Sequence, residues 1–79
     1  NLDVELDEIV VLQGSSLVGK TIADSQIGQQ FRLLVVGIKQ VAGPIRFNPQ
    51  AQHVLEVNDV LIVLGQLGDI ESFRGGQVA

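Results

Sequence analysis

Residues 55–65 read Leu-Glu-Val-Asn-Asp-Val-Leu-Ile-Val-Leu-Gly, an apolar run that directly follows the turn-forming pair Asn58-Asp59. Two further apolar runs occur earlier, at 9–12 and 33–38. All three are short, rich in β-branched residues and flanked by turn-forming residues, which favours strands over buried helices. Because the runs are continuous rather than alternating, both faces of these strands are expected to be covered.

A first short helix is predicted from about residue 22 to residue 30. Thr21 and Asp24 have capping-box spacing, with Thr21 as the N-cap. Ala23, Ile27 and Phe31 recur at four-residue spacing, so they are predicted to share one face of this helix.

A second helix is predicted to begin near Asp69, which can cap it, and to end at Gly75-Gly76. Residues 41–44, which include Gly43-Pro44, predict a turn into a short strand at 45–47. The elements together predict an α+β fold, a small mixed or antiparallel sheet of about four strands with two short helices.

The composition limits the chain to one domain, residues 1–79, and the missing initiator Met predicts that it is excised from a larger protein. Hydrophobic residues make up 46%, more than one chain of this size can bury, which predicts a second subunit. The net charge of −4 argues against a nucleic-acid partner. No apolar run approaches the roughly 20 residues that span a membrane, so no direct membrane insertion is expected.

Residues 14–21, Gly-Ser-Ser-Leu-Val-Gly-Lys-Thr, match the Walker A pattern. A phosphate-binding loop would use backbone amides, Lys20 and Thr21 to hold phosphate and magnesium. No strand ends in an acidic residue that would complete the metal site, and two short helices are too few for a nucleotide-binding sheet. The structural interpretation is that Leu17 and Ile22 pack, Gly19 turns the chain and Thr21 caps the helix.

Asp3, Glu5 and Asp7 alternate with apolar residues, which predicts three carboxylates on one face of an N-terminal strand. Calcium takes about six to eight oxygen ligands, so three carboxylates on one strand are too few and too linear to bind it alone, although a dimer would double their number. The alternative is a solvated edge strand whose charges discourage aggregation. The pattern slips at Asp7-Glu8, which predicts a bulge or bend before Ile9.

No catalytic or metal-binding residues are predicted. The chain has no Cys and a single His, so thiol chemistry and a zinc site are not expected. His53 lies in the polar stretch 50–53 and is predicted to be an exposed loop residue. No serine has a base and an orienting group at suitable spacing, so the chain is predicted not to be an enzyme.

Four motifs in order resemble the RCK C-terminal domain, also called TrkA-C. They are Leu17-x-Gly19-Lys20-Thr21-Ile22, Val35-Val36-Gly37-Ile38, Asn48-Pro49 and Leu55-x-x-Asn58-Asp59-Val60-Leu61-x-Val63-x-Gly65. Asn58 stands where the family usually has Gly, and Asn is the next best residue at positive φ. Gln40 stands where many members carry a basic residue, so no anion contact is carried over to it.

The resemblance implies a regulatory domain on the cytoplasmic face of the membrane, part of a potassium channel or transporter. It implies a homodimer, attached to an RCK N-terminal domain or to a membrane-embedded transport subunit. It further implies cyclic di-AMP or a divalent cation as a regulatory ligand at or near the dimer interface.

A dinucleotide, if bound, is expected at the hairpin 38–49. Arg46 and Lys39 would pair with phosphate. The base would pack against four apolar side chains, and Asn48 would read its polar edge. The four are Ile38, Ile45, Phe47 and Pro49. The alternative is that the apolar ones are core residues and Arg46 is a solvated surface charge.

Three hypotheses therefore remain from the sequence: a ligand-sensing dimer domain of a potassium transport system, a purely structural dimerisation module of an antiporter or anion transporter, and a P-loop NTPase fragment.

Overall fold

The computed structural model describes residues 3–77, and within them the chain forms one antiparallel sheet flanked by helices on one side. The elements are β1 (Glu5–Val10), α1 (Ile22–Ser25), α2 (Ile27–Phe31), β2 (Leu34–Lys39), β3 (Ile45–Phe47), β4 (Val60–Gly65) and α3 (Leu67–Gly75). The strand order is β1-β4-β2-β3, and all three pairings are antiparallel. The predicted α+β fold with a four-stranded sheet is confirmed.

The core lies between the sheet and the helices. Leu61 of β4 is fully buried and pairs with Ile9 of β1 on one side and Ile38 of β2 on the other. Ile70 and Phe73 of α3 are buried in the same cluster. Alternate residues of the central strand therefore anchor both neighbouring strands and the C-terminal helix in one core.

The other side of the sheet carries apolar side chains that no element among residues 3–77 covers, and we call it the open face. Leu6 and Leu34 flank Leu64 there and are 64% and 62% exposed. The open face consists of Leu6, Val10, Leu34, Ile45, Phe47, Val60, Ile62 and Leu64, with Glu8 and Lys39 as its charged residues. The continuous apolar runs predicted that both faces of the sheet are covered, and the helices among residues 3–77 cover one of them.

The predicted helix from 22 to 30 is wrong as a single element. Gln26 adopts a left-handed conformation, with φ of 56°, and divides the segment into α1 and α2. Thr21 caps α1 as predicted, since its Oγ1 accepts a hydrogen bond from the Asp24 amide at 3.0 Å. The break rotates the two segments relative to each other, so Ile27 is buried while Ala23 is exposed.

The second predicted helix ends at Gly75 as expected but begins earlier than predicted. α3 starts at Leu67, and its N-cap, Gln66, makes no side-chain capping bond. Asp69 lies in the first turn instead of capping the helix. An acidic residue there still interacts favourably with the exposed amides of the helix N-terminus.

The prediction of a bulge or bend before Ile9 is wrong. β1 pairs with β4 in continuous register from Glu5 to Val10. The irregularity lies in β2 instead, between Val35 and Gly37. Asp3 precedes the strand with φ of 52°, so the three predicted carboxylates do not form one ladder.

The C-terminal part of α3 contacts β1 through Arg74. Its guanidinium lies 3.2 Å from the Asp7 carboxylate and donates to the Glu8 carbonyl at 2.8 Å. The Glu8 amide, and after it the Arg74 guanidinium, hold the pKa of the Asp7 carboxyl below its usual range. Since the folded state lowers this pKa, the interaction stabilises the protein above the ordinary Asp range and is lost as pH falls through the lowered value.

Replacing Arg74 is therefore expected to raise the pKa of Asp7. In Arg74→Gln the rise should be partial, because the Glu8 amide still donates to the carboxylate. An NMR pH titration of the Asp7 side-chain carboxyl measures it, with Glu71→Gln, an exposed change on the same helix, as the control. An unchanged Asp7 titration in Arg74→Gln would contradict the contact.

Candidate functional site

The Walker-like loop 14–21 does not form a phosphate cradle. Gly14 and Gly19 have φ of 85° and 86°, so the glycines turn the chain. The loop amides are already used within the described part of the chain: those of Ser15, Ser16, Val18, Gly19 and Lys20 donate to backbone carbonyls, and that of Leu17 to the Ser15 hydroxyl. The Thr21 hydroxyl caps α1, which is only 4 residues long. The loop therefore has the structural role that the sequence offered as its alternative.

A groove of about 420 Å³ lies beside β3, between the end of β2 and the loop that follows β3. It is lined by Ile38, Gln40, Arg46, Phe47, Asn48, Pro49, Gln50, Gln52 and His53. Its volume is at the lower end of the range of about 300–1,000 Å³ typical of small-molecule sites. We call it the β3 groove.

Five of the seven residues predicted to bind a ligand line this groove, namely Ile38, Arg46, Phe47, Asn48 and Pro49. Ile38 is also a core residue, whereas Phe47 is 70% exposed. Lys39 and Ile45 lie instead on the open face, because their side chains alternate with those of Ile38 and Arg46. The structure thus brings most of the predicted set together and leaves these two outside the groove.

Local backbone geometry fixes the position of Arg46 and its neighbours. β3 is an edge strand of 3 residues, and Asn48 ends it with φ of 52° while its amide donates to the Val36 carbonyl at 2.8 Å. Among residues 3–77 the Arg46 guanidinium has no hydrogen-bond or ion-pair partner. The groove therefore presents a cation beside apolar and amide side chains.

Four groove residues were missed from the sequence: Gln40, Gln50, Gln52 and His53. The available signal was the polar stretch 50–53 directly after Asn48-Pro49, which was interpreted as a plain loop. Hydrogen bonds from the amides of Ile22 and Ala23 to the carbonyls of His53 and Ala51 fold this loop back against α1, and so beside the hairpin.

His53 is half-buried, so its prediction as an exposed loop residue is wrong. Its Nε2 lies 3.4 Å from the carboxylate of Asp59, whose side chain is 2% exposed. The same carboxylate oxygen accepts a hydrogen bond from the Glu56 amide at 3.0 Å. Asn58 has φ of 72°, as predicted for this turn, and the turn places Asp59 behind the imidazole.

Gly37 connects the groove to the open face. A Cβ on Gly37 would lie 3.1 Å from the Arg46 carbonyl oxygen and 3.3 and 3.5 Å from side-chain atoms of Ile45 and Phe47. These two side chains therefore pack over the glycine backbone. The absence of a side chain at Gly37 lets β3 approach β2 closely and keeps Phe47 at the boundary between the two surfaces.

The fold and these two surfaces define a small α+β domain with one apolar sheet face and one cationic groove. Among residues 3–77, no group of three potential ligands is placed to hold a metal ion. The chain belongs to the TrkA-C domain family, whose model matches residues 6–75. The domain is also known as RCK C, and it is a regulatory domain.

Solved structures with the same fold include domains of KtrA, BusR and GsuK. The RCK C domain of the potassium transport protein KtrA, in complex with cyclic di-AMP, is 23% identical with a TM-score of 0.83, over 92% of this chain and 82% of that one. An RCK_C domain dimer of BusR from S. agalactiae, also with cyclic di-AMP, is 22% identical with a TM-score of 0.80, over 90% and 92%. No curated protein matches the chain.

The third protein, GsuK, shows the fold inside a much longer chain. Its RCK domain is 19% identical with a TM-score of 0.77, and the match covers 94% of this chain but 16% of that one. BusR has also been solved with its busAB-promotor DNA, where the match covers 37% of its chain. A protein that contains this fold thus binds DNA, and the absence of a nucleic-acid partner, argued from the net charge of this chain, stays a prediction.

No helix among residues 3–77 has the length and apolar character required to cross a lipid bilayer.

Proposed function

We propose that this chain is the dimeric, ligand-sensing regulatory domain of a potassium channel or transporter, and that it binds a cyclic dinucleotide such as cyclic di-AMP in the β3 groove. The observation that carries the proposal is the groove itself, where an unpartnered Arg46 lies beside Ile38, Phe47 and Pro49. Cyclic di-AMP bound to the similar domains of KtrA and BusR supports this ligand class.

The open face supports the homodimer. Leu6, Leu34 and Leu64 form an apolar row across three strands, and contiguous apolar surface of this kind marks interaction sites on soluble proteins. A second copy offers the same row, so a two-fold contact covers both at once. The dimer of the BusR RCK_C domain is consistent with this arrangement.

The groove and its surroundings contain side chains suited to the phosphate and to the base of a dinucleotide. Arg46 has no internal partner and is suited to a phosphate, because its planar guanidinium forms charge-assisted, bidentate contacts. Ile38, Phe47 and Pro49 provide apolar contact for a base, and Asn48 can hydrogen bond to its edge. Lys39 and Ile45 are on the open face, where a ligand that spans two subunits would meet them.

The regulatory mechanism follows from symmetry and differential affinity. A two-fold symmetric ligand makes each contact twice in a two-fold dimer. It shifts the parent protein only if it binds one arrangement of the dimer more tightly, and a change from 1:99 to 99:1 requires about 5.5 kcal/mol of difference. We propose that the domain is attached to an RCK N-terminal domain or a membrane-embedded transport subunit at the cytoplasmic face, a context that GsuK supports.

Arg46→Ala is expected to weaken cyclic di-AMP binding by about 10- to 100-fold, because it removes a charge-assisted contact to phosphate. Isothermal titration calorimetry measures this loss, and thermal melting without ligand should be unchanged, since Arg46 is exposed and unpartnered. Lys20→Ala, another exposed cation but in the Walker-like loop, is the matched control and should bind normally.

Binding of cyclic di-AMP that is equally strong in Arg46→Ala would contradict the groove assignment. A dimer that responds neither to cyclic di-AMP nor to calcium or magnesium would favour the purely structural dimerisation module. ATP hydrolysis that is lost in Lys20→Ala would favour the P-loop enzyme. A melting temperature raised by a divalent cation alone would favour the metal ligand over the dinucleotide.

A further inference from the structure

The outer edge of β1 has backbone groups that point away from the sheet. The amide of Val11 donates to the Asp59 carbonyl, and its carbonyl accepts from the Asn58 amide, both at 2.8 Å. Hydrogen-bonding direction alternates along an antiparallel strand, so the groups of Ile9 and Asp7 also face β4. The groups of Glu8, Val10 and Leu12 therefore face outward, on the side where another strand would pair.

Gln77 occupies two of these outward groups. Its side-chain Nε2 donates to the Val10 carbonyl at 2.8 Å, and its Oε1 accepts from the Leu12 amide at 3.1 Å. In a parallel sheet, one residue donates its N–H to a residue of the neighbouring strand and accepts with its carbonyl from the residue two positions further along that strand. The Gln77 side-chain amide makes this same pair of hydrogen bonds with Val10 and Leu12. Gln77 is 2% exposed, so its amide is fixed as a built-in substitute for a strand.

Asp7 and Arg74 occupy the next two groups along the same edge. The Asp7 carboxylate accepts from the Glu8 amide at 2.7 Å, and Arg74 donates to the Glu8 carbonyl at 2.8 Å. Their own contact at 3.2 Å joins the two side chains. From Glu8 to Leu12, four outward groups are satisfied by Arg74 in the last turn of α3, Gln77 just after α3, and Asp7 of β1 itself.

We propose that Asp7, Arg74 and Gln77 form an edge cap that prevents a second copy of this chain from adding its β1 to the sheet. An unpaired edge strand is a template for pairing with an identical strand. The apolar side chains Leu6 and Val10 lie on the same strand and would align with those of the added copy. The cap leaves the open face free to be the surface through which copies associate.

The double variant Arg74→Ala/Gln77→Ala tests the cap. Three freed backbone groups, the carbonyls of Glu8 and Val10 and the amide of Leu12, become available to another strand. We expect self-association of the double variant to be about tenfold or more stronger than that of the wild type. Sedimentation velocity at micromolar to millimolar concentrations should show species larger than the wild type forms at each concentration. Loss of Arg74 makes the chain more negative and so increases the charge repulsion between copies. Stronger self-association of the double variant could therefore not be explained by weaker repulsion.

A third substitution separates edge pairing from unfolding. Glu8→Pro removes an outward N–H without removing a hydrogen bond to β4, and proline blocks strand addition at an edge. Added to the double variant, it should restore the wild-type species, with Glu8→Gln as the charge-matched control that does not. Circular dichroism and urea unfolding confirm that each variant is folded.

Wild-type sedimentation of the folded double variant at every concentration would overturn the proposal. So would larger species that persist or increase when Glu8→Pro is added, because these would arise from exposed core and not from the β1 edge. Because Glu8 also lies on the open face, Glu8→Gln in the same double variant measures any effect of the lost charge on the proposed open-face dimer, and the further effect of Glu8→Pro reports pairing at the β1 edge.

Discussion

Leu34→Asp is expected to convert the proposed open-face dimer into a folded monomer. Leu34 is 62% exposed in the single chain, so a carboxylate there remains hydrated and the fold tolerates it. In a two-fold contact through the open face, two such carboxylates would be buried without a partner, at a cost of several kcal/mol. The dissociation constant should therefore rise by about 100-fold or more.

Analytical ultracentrifugation and the concentration dependence of thermal melting measure this effect. The wild-type melting temperature should rise with protein concentration, and that of Leu34→Asp should not. Leu67→Asp is the matched control, because Leu67 is 50% exposed but lies at the start of α3, away from the open face. A dimer of unchanged affinity in Leu34→Asp would show that the copies associate elsewhere.

Phe73→Ala is expected to have the largest effect on folding stability. Phe73 is 2% exposed within the core cluster, and its ring packs edge-to-face with that of Phe31, with centroids 5.0 Å apart. Truncating a buried phenylalanine costs about 3–5 kcal/mol through lost apolar contact and the cavity that remains. A small domain has a free energy of unfolding near the lower end of about 5–15 kcal/mol, so most of it would be lost.

Urea unfolding at one fixed protein concentration measures this loss. Phe73→Leu keeps most of the side-chain volume and should cost considerably less, whereas Leu67→Ala, on the exposed start of α3, should change the free energy of unfolding by less than about 0.5 kcal/mol. Equal stability in Phe73→Ala and Leu67→Ala would contradict the position of Phe73 in the core.

Sequence reasoning succeeded where the physical signal is local. The apolar run 60–64 predicted β4 correctly. The positive φ of Asn58, in the turn before β4, was also predicted correctly. The capping role of Thr21 was also correct, because a cap depends on residues only three positions apart. The order of the motifs identified the family, which the match over residues 6–75 shows.

Sequence reasoning failed where tertiary contacts decide between local alternatives. The break at Gln26 is not marked by a glycine or proline at that position. It lies between α1, which hydrogen bonds to the loop after β3, and α2, which packs against α3 and β2. The partial burial of His53 depends on Asp59, which reaches it only when the turn before β4 has formed. The edge cap joins residues 66 and 67 positions apart in the chain, a separation at which pattern reasoning has no signal.

By itself, the sequence determined which segments form the strands, that the chain has an excess of apolar surface, and to which family it belongs. These properties depend on residue type and short spacing. Only the tertiary structure decided which apolar residues are core and which form the open face, since alternate side chains of one continuous run point to opposite sides of the sheet. It also decided that Arg46 and His53 share a groove, because that proximity depends on how the loop after β3 folds back against α1.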